Sequence, residues 1–211
     1  MKKFELTNEF IANRFGTKLF RIRALVEFGD VEAGELGGYV EKESNLGHDD
    51  NAWVYGDAQV SGDALVYGNA RVYDNAWVYG NAQVSGNARV YGNARVCGNA
   101  LVCGNAWVYG NAWVYGDAQV SGDARVCGNG DYAYAHGFGS VNRTTTFFRL
   151  KDGGVGVRCG CFYGTLAQFR DKIRETHGET KKAQEYLMLA DLMELRFEED
   201  ENEVGNRKYV E

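Results

Sequence analysis

The stretch that decides the fold lies between Asn51 and Gly130, where a six-residue unit repeats thirteen times without a gap. The first copy begins at Asn51 and reads Asn-Ala-Trp-Val-Tyr-Gly, and the last begins at Asp123 and reads Asp-Ala-Arg-Val-Cys-Gly. Valine recurs at every sixth position from Val54 to Val126, and an alanine stands two residues before each valine. A strict period of six would scatter the valines around a helix axis. The pattern therefore predicts short strands joined by bends.

Within each unit, the alanine and the valine lie two residues apart, so both point to the same side of a strand, which we expect to be the interior. The residues on either side of the valine point outward. Glycine followed by Asn or Asp suits a bend, because these residues tolerate positive φ at low cost. Three such strands complete one triangular coil, and about five stacked coils form a parallel β-solenoid.

The unit from Val90 to Arg95 resembles the hexapeptide repeat of left-handed β-helix proteins, in which an aliphatic residue is followed by a small residue four positions on. The resemblance implies a left-handed coil and a trimer, but no single activity, because this fold hosts acyltransferases as well as structural filaments. The whole chain also resembles uncharacterised hexapeptide-repeat proteins of bacteria and their phages, in the segments 19–25 and 37–40 and in those beginning at Arg143 and Cys159. This second resemblance implies a phage-related origin.

The composition limits the class of protein. The chain has 211 residues with 28 glycines and no proline, which suits a tightly wound solenoid whose strands keep their backbone donors. A formal net charge of -6 argues against a general nucleic-acid-binding protein. We expect no membrane span and no signal peptide, because no apolar run is long enough and the N-terminus lacks an apolar core. The five cysteines lack the spacing of a disulfide framework, which indicates a reducing cytoplasm, that of the bacterial host if the protein is phage-encoded.

The sequence divides into three parts and predicts a mainly β protein. Residues 1–50 form an N-terminal cap and a first degenerate coil, with strand character from Thr17 to Phe28. Residues 51–130 form the hexapeptide-repeat solenoid, and residues 131–211 form a small C-terminal α+β module of ββαα type with an acidic tail. The aliphatic spacing lengthens from six to eight residues between Leu46 and Val54, which predicts a two-residue insertion before the first regular coil.

The C-terminal module is predicted from a hairpin signal and a helix signal. A Lys-Asp-Gly-Gly turn separates two strand-like runs, and a Thr-Leu-Ala-Gln capping box opens the first helix. The predicted elements are an irregular linker at 131–140, strands at 144–150 and 155–162, and helices at 165–178 and 180–197.

Residues eighteen positions apart occupy equivalent places in successive coils, so the outward side chains sort onto three faces. The first and second faces are aromatic and basic, whereas the third face has no charged side chain. The first face carries Trp53, Tyr55, Arg71, Tyr73, Arg89, Tyr91, Trp107, Tyr109, Arg125 and Cys127; the second carries Gln59, Ser61, Trp77, Tyr79, Arg95, Cys97, Trp113 and Tyr115; the third carries Leu65, Tyr67, Gln83, Ser85, Leu101, Cys103, Gln119 and Ser121.

The sequence predicts no catalytic residue, no metal site and no cofactor. An acyltransferase of this fold would use a histidine general base at the seam between subunits, but His48, His136 and His177 all lie outside the repeats. Cys159 and Cys161 would lie on one face of a strand. Zinc-binding cysteines are usually separated by two to four residues, and the second pair of such a site is missing.

The first face carries the strongest binding signal, because it places arginines beside aromatic rings. A guanidinium next to a ring can stack on a base and pair with a phosphate, and two arginines one coil apart repel each other unless an anion bridges them. Alternatively, the ladder only stabilises the sheet. The predicted ligand-binding residues are Trp53, Arg71, Tyr73, Arg89, Tyr91 and Trp107, with Arg143 and Thr144 closing the site from the C-terminal module.

The third face predicts an oligomer, because an uncharged surface can be desolvated without burying charge. The predicted interface residues are Leu65, Tyr67, Gln83, Leu101 and Gln119.

Three functions fit these features. The first is a non-enzymatic, oligomeric binding scaffold that captures an anionic small molecule, such as a nucleotide signal, and opposes host defence by sequestration; its phage setting comes from the resemblance. The second is an acyltransferase-like enzyme of the hexapeptide-repeat family. The third is a structural protein that polymerises through its solenoid faces.

Overall fold

The computed structural model describes residues 2–138 and 142–198, and within them the repeats form a parallel β-solenoid, as predicted. The chain begins with β1 (Phe4–Ala12), β2 (Lys18–Ala24), β3 (Leu36–Val40) and a 3₁₀ helix (Glu43–Asn45). Thirteen two-residue strands follow: β4 (Trp53–Val54), β5 (Gln59–Val60), β6 (Leu65–Val66), β7 (Arg71–Val72), β8 (Trp77–Val78), β9 (Gln83–Val84), β10 (Arg89–Val90), β11 (Arg95–Val96), β12 (Leu101–Val102), β13 (Trp107–Val108), β14 (Trp113–Val114), β15 (Gln119–Val120) and β16 (Arg125–Val126).

Three sheets run along the solenoid and match the three predicted faces. The first face consists of β4, β7, β10, β13 and β16, so the solenoid has about five turns. The second face continues from β3 through β5, β8 and β11 to β14, and the third face runs from β6 through β9 and β12 to β15. Residues eighteen apart are paired, as Arg89 is with Arg71 and with Trp107. The left-handed form implied by the resemblance stays a prediction.

The interior of the solenoid is a column of alanine and valine. Ala88 and Val90, for example, are completely buried, and the other inward alanines and valines of the repeats are buried to the same extent. The corners are stacked as regularly as the strands. At one corner the Asn69 side-chain amide donates to Asn87 over 3.2 Å, and Asn87 donates to Asn105 over 3.1 Å. These amide ladders add polar contacts where the chain bends out of the sheets.

The N-terminal segment caps the solenoid with an antiparallel hairpin. β1 pairs with β2, and β2 pairs with β3, which in turn begins the second face. The sequence analysis does not predict β1, whose pairing with β2 carries a register shift between Leu6 and Phe10. Val40 pairs with Val60, twenty residues on rather than eighteen, which confirms two extra residues in the first coil.

The C-terminal module contains four strands rather than the two predicted. They are β17 (Tyr132–Phe138), β18 (Arg143–Arg149), β19 (Val155–Cys159) and β20 (Phe162–Thr165), antiparallel in that order. The predicted linker is therefore largely a strand, and the second predicted strand is divided by a turn. The two predicted helices are present as α1 (Leu166–His177) and α2 (Lys181–Phe197), and Thr165 and Gln168 form the predicted capping box. The predicted acidic tail, from residue 199 onward, lies outside the described residues.

The C-terminal sheet covers the other end of the solenoid. The Thr146 hydroxyl accepts a hydrogen bond from the Gln119 backbone N–H over 2.9 Å, and the Tyr132 hydroxyl donates to the Trp113 carbonyl over 2.7 Å. Both helices contribute to a separate hydrophobic core that contains Phe147. No helix of the described ranges is both long and apolar enough to span a membrane. Both ends of the solenoid are covered by its own chain, which leaves the faces as its open surfaces.

Candidate anion-binding site

A stack of tyrosine rings runs along the first face. Tyr73 and Tyr91 have ring centroids 4.9 Å apart with an interplanar angle of 3°, and Tyr91 and Tyr109 are 5.1 Å apart at 8°. The parallel pairing of β7, β10 and β13 sets this spacing, because each coil places its tyrosine directly over the next one. Both faces of the Tyr91 ring are therefore covered by neighbouring rings. A ligand cannot stack on Tyr91, although the sequence analysis lists this residue in the binding site.

A column of arginine and tryptophan stands beside the tyrosines. The Trp107 ring lies between two guanidiniums, with Arg89 at 5.0 Å and Arg125 at 4.2 Å from its centroid. Arg125 is also held by the carbonyls of Asn105 and Ala124. Arg89 is exposed, and within the described ranges it forms no ion pair with a carboxylate. Arg89 is thus the arginine of this column that is best placed to receive an external anion.

Arg71 is already paired with a carboxylate of its own chain. Its two terminal nitrogens donate to the two carboxylate oxygens of Asp30, each over 2.7 Å, in a bidentate ion pair. The Tyr55 hydroxyl donates to the same carboxylate over 3.1 Å. We expected the charges of Arg71 and Arg89 to be bridged by a ligand. The structure instead neutralises Arg71 with Asp30, which lies in the loop before β3.

These residues line one open groove on the first face. The groove has a volume of about 420 Å³ and is bounded by Asp30, Tyr55, Arg71, Tyr73 and Arg89. Tyr55 belongs to the same column as Tyr73 but is not stacked on it, because its hydroxyl turns to Asp30. Tyr73, at the end of the tyrosine stack, therefore lines the groove.

The electrostatics of the groove favour protonated tyrosines as hydrogen-bond donors. Burial raises the pKa of Tyr55 to about 12, with Arg71 opposing the rise and Asp30 adding to it. Burial also raises the pKa of Tyr73, and the adjacent Arg89 guanidinium opposes the increase. Burial and the neighbouring tyrosines raise the pKa of Tyr91 to about 12. At neutral pH these hydroxyls keep their protons, and the groove offers cations and neutral donors beside one carboxylate.

Trp53 does not contribute to the groove. The residue belongs to the first face, as its position in the repeat predicted, but it is completely buried. Phe4 and Phe28 of the N-terminal cap pack against its ring with centroid distances of 6.1 and 5.3 Å. The repeat determines on which side of the sheet a side chain lies, whereas a distant segment determines whether that side chain is covered.

Arg143 and Thr144 also lie away from the groove. Arg143 fills the space above Gly160, and the Thr144 hydroxyl hydrogen-bonds to His136 over 2.8 Å. No hydrogen bond or ion pair within the described ranges links either residue to the groove. They do not close the predicted site, because the C-terminal module meets the solenoid through other residues such as Thr146.

Sequence reasoning missed two residues of the groove. Tyr55 was assigned to the first face but not to the site, although it precedes Tyr73 in the same column. Asp30 gave no usable signal, because its carboxylate reaches Arg71 across 41 positions of sequence. The irregular loop that carries Asp30 has no periodicity from which its direction could be derived.

The third face is open over most of its length. Among its predicted interface residues, Tyr67 and Gln83 are exposed, and Leu65, Leu101 and Gln119 are half-buried. Among the described residues, the C-terminal module contacts the end of this face, where the Gln119 backbone N–H donates to Thr146 and Ser121 is buried. The face is thus available to a partner, but its role as an interface stays a prediction.

The histidines have structural contacts. His48 stacks on Phe4 with centroids 4.5 Å apart and accepts a hydrogen bond from the Lys3 backbone, while His177 stacks on Tyr186 at 5.9 Å. Cys159 accepts a hydrogen bond from the Thr145 hydroxyl. The described part of the chain contains no group of three or more His, Cys, Asp or Glu that could hold a metal ion.

The fold and the repeats define a β-solenoid protein built from hexapeptide units. The family model described as the YdcK beta solenoid repeat matches the chain in overlapping segments at residues 58–71, 64–80, 82–98, 94–110 and 100–116. The chain is therefore similar to a β-helix repeat family across the middle of its solenoid. No curated protein matches the chain.

Proposed function

We propose that the chain is a non-enzymatic binding scaffold whose first-face groove captures a small anionic ligand that carries an aromatic ring, such as a nucleotide. One observation carries the proposal: Arg89 is exposed beside the tyrosine stack and over the Trp107 ring, without a carboxylate partner in the described ranges. A guanidinium in this position offers a planar set of donors to a phosphate group.

The contacts around Arg89 suggest how such a ligand would be held. A phosphate bound to Arg89 lies one coil from Arg71, where it competes with the Asp30 carboxylate for the second guanidinium. The aromatic ring of the ligand packs against Tyr73, which lines the groove. Base stacking on an aromatic side chain contributes about 1–3 kcal/mol per base.

The test is titration calorimetry with ATP as the probe and inorganic phosphate as a second, ring-free probe. Arg89→Ala is expected to weaken ATP binding at least ten-fold without changing the melting temperature. Arg95→Ala is the matched control, because Arg95 stands between two tryptophans on the second face and should leave ATP binding within two-fold. Asp30→Asn should strengthen binding, since it frees Arg71.

Equal ATP affinity for wild type and Arg89→Ala would contradict the proposal, and the ladder would then serve only to stabilise the sheet. The same samples distinguish capture from catalysis. A scaffold returns the nucleotide unchanged, whereas an acyltransferase-like enzyme would turn over acetyl-CoA. Sequestration of a host nucleotide signal by a phage protein is the biological role that we attach to this site.

Self-association through the third face is a second part of the proposal. It is favoured by an uncharged outer ladder in which Leu65, Gln83 and Leu101 follow one another on adjacent strands. This ladder can lose its water without leaving a buried, unpaired charge. Light scattering is expected to give an oligomer, the trimer implied by the resemblance, that Leu101→Lys dissociates. A monomeric wild-type protein would contradict self-association through the third face. An open-ended size distribution would favour the alternative hypothesis, a structural protein that polymerises through its solenoid faces.

A further inference from the structure

The tip of the N-terminal hairpin rests on one aromatic pair of the second face. Between β1 and β2, the Arg14 guanidinium lies 4.3 Å from the centre of the Trp77 ring. The next residue, Phe15, packs against Tyr79 with centroids 6.2 Å apart. An arginine followed by an aromatic residue thus covers a Trp–Tyr pair of the solenoid. The chain provides its own example of what this surface binds.

An equivalent Trp–Tyr pair two coils further on is not covered by the hairpin and stays partly exposed. Trp113 and Tyr115 occupy the same positions of the repeat as Trp77 and Tyr79, and β14 and β8 both pair with β11. The exposed fractions of Trp113 and Tyr115 are 42% and 46%, which are large for aromatic side chains on a regular sheet. Their rings lie 5.6 Å apart at 54°. The hairpin tip, seated on Trp77, leaves this pair open.

We infer that Trp113 and Tyr115 form a docking site for a partner protein segment that presents an arginine followed by an aromatic residue in a turn. The argument is internal. The solenoid repeats its Trp–Tyr pair, and the chain covers one copy with such a segment while leaving the other open. This surface belongs to a different sheet from the first-face groove, and the inference does not depend on the proposed function.

The charges around the open pair favour an incoming arginine. Four residues after Trp113 the repeat carries Asp117, whereas the equivalent position after Trp77 is Asn81. Asp117 is exposed and accepts a hydrogen bond from the Asn99 amide, without an ion-pair partner in the described ranges. It therefore adds a negative charge that the covered pair lacks.

Arg95 does not prevent the docking of a second guanidinium. It lies 5.6 Å from the Trp77 ring and 6.0 Å from the Trp113 ring. Trp77 nevertheless also carries Arg14 at 4.3 Å, so one indole of this sheet accommodates two guanidiniums. The edge contacts of Tyr115 with Tyr132 and Tyr134 of the C-terminal module support its ring on one side.

The test uses a cyclised peptide with the sequence of residues 11–19, which contains the hairpin tip. The full chain has four tryptophans, so an indole-labelled sample gives four resolvable NMR signals. The peptide is expected to shift the Trp113 signal and to leave that of buried Trp53 unchanged. Peptides in which Arg14 or Phe15 is replaced by Ala should bind about three-fold more weakly each, and the doubly substituted peptide about ten-fold.

Protein variants provide the controls. Measured by calorimetry, because the variant lacks the Trp113 signal, Trp113→Ala should abolish the binding, whereas Trp107→Ala, which removes a tryptophan from the first face, should leave it intact. The inference is overturned if the Trp113 signal stays unmoved, or if the doubly substituted peptide shifts it as far as the parent peptide does. A Trp113 signal that moves on concentrating the protein alone would overturn the assignment to a partner and identify a second copy of the chain as the occupant.

Discussion

Glycine stands at nearly every corner of the solenoid, where the backbone takes a positive φ that disfavours side chains; Asp74, with a φ of 60°, is the exception among the repeats. Gly86 has a φ of 66°, in the left-handed region. A Cβ at this residue would lie 3.0 Å from the backbone nitrogen and 3.2 Å from the carbonyl oxygen of Gly104 in the next coil. Both atoms belong to the backbone of the next coil, so a side chain at Gly86 is accommodated only if that coil shifts by a few tenths of an ångström.

Gly86→Ala is therefore expected to lower the free energy of unfolding by about 1–3 kcal/mol, from backbone strain and the contact with the next coil. Gly128→Ala is the matched control, because Gly128 is extended and a Cβ there meets nothing within 4 Å. The control should change the free energy of unfolding by less than about 0.5 kcal/mol. Urea denaturation measures both, and equal losses would show that the corner glycines carry no special constraint.

Lys3 is a buried cation under the N-terminal cap. Its ammonium donates to the carbonyls of Asp50 and Ala52 over 2.7 and 2.8 Å and lies 4.7 Å from the Phe28 ring. Burial lowers the pKa of Lys3 to about 8, although Asp50 partly opposes the effect. Between pH 8 and the ordinary lysine pKa, the unfolded chain keeps a proton that the folded chain releases. The contribution of Lys3 to stability therefore rises with pH across this window.

The Lys3→Met variant isolates this effect. The free energy of unfolding of wild type, relative to that of Lys3→Met, is expected to increase between about pH 7.5 and about pH 10. The tyrosines do not affect this difference. Their raised pKa values lower the stability of both proteins by the same amount as the pH rises above 10. Denaturation at a series of pH values gives the difference, and a pH-independent difference would mean that Lys3 titrates normally.

At the scale of elements, the repeats could be predicted because one period fixes strand, bend and interior together. The elements that sequence reasoning missed lie where this period stops. The run from Tyr132 to Phe138 is a strand where the sequence analysis predicts a linker, although its alternation of large and small residues is a strand signal. The sequence analysis also lacks β1, whose pairing is irregular, and the turn at Gly160 that separates β19 from β20.

The core column provides the element-scale prediction. Val90→Asp places a carboxyl group in an interior one coil wide, where Val90 is completely buried, and should cost several kcal/mol or prevent folding. Gln83→Glu changes an exposed position on the third face and should cost less than about 0.5 kcal/mol. Circular dichroism and thermal melting compare the two variants. Similar losses of stability would mean that the inward and outward positions are wrongly assigned.

At the scale of the whole molecule, the candidate site was predictable only in part. The repeat placed Arg71, Tyr73 and Arg89 correctly in one ladder, because residues eighteen apart must be neighbours. The repeat could not indicate that the N-terminal cap buries Trp53 or that Asp30 forms an ion pair with Arg71. Those contacts join segments that are distant in sequence and follow no period.

The whole molecule presents three open faces of different chemistry between two covered ends. The first face offers an arginine without a carboxylate partner in the described ranges, the second offers the uncovered pair of Trp113 and Tyr115, and the third offers an uncharged ladder. We therefore expect one solenoid to engage an anion, a partner segment and further copies of itself on separate surfaces.

The central claim is that the first-face groove binds an anionic ligand at Arg89. The most direct measurement is an NMR titration of the indole-labelled full chain with ATP, in which the four tryptophans report on different surfaces. The signal of Trp107, whose ring lies 5.0 Å from the Arg89 guanidinium, is expected to shift saturably, while that of Trp113 stays in place. A Trp107 signal that does not move, or a shift confined to Trp113, would contradict the claim.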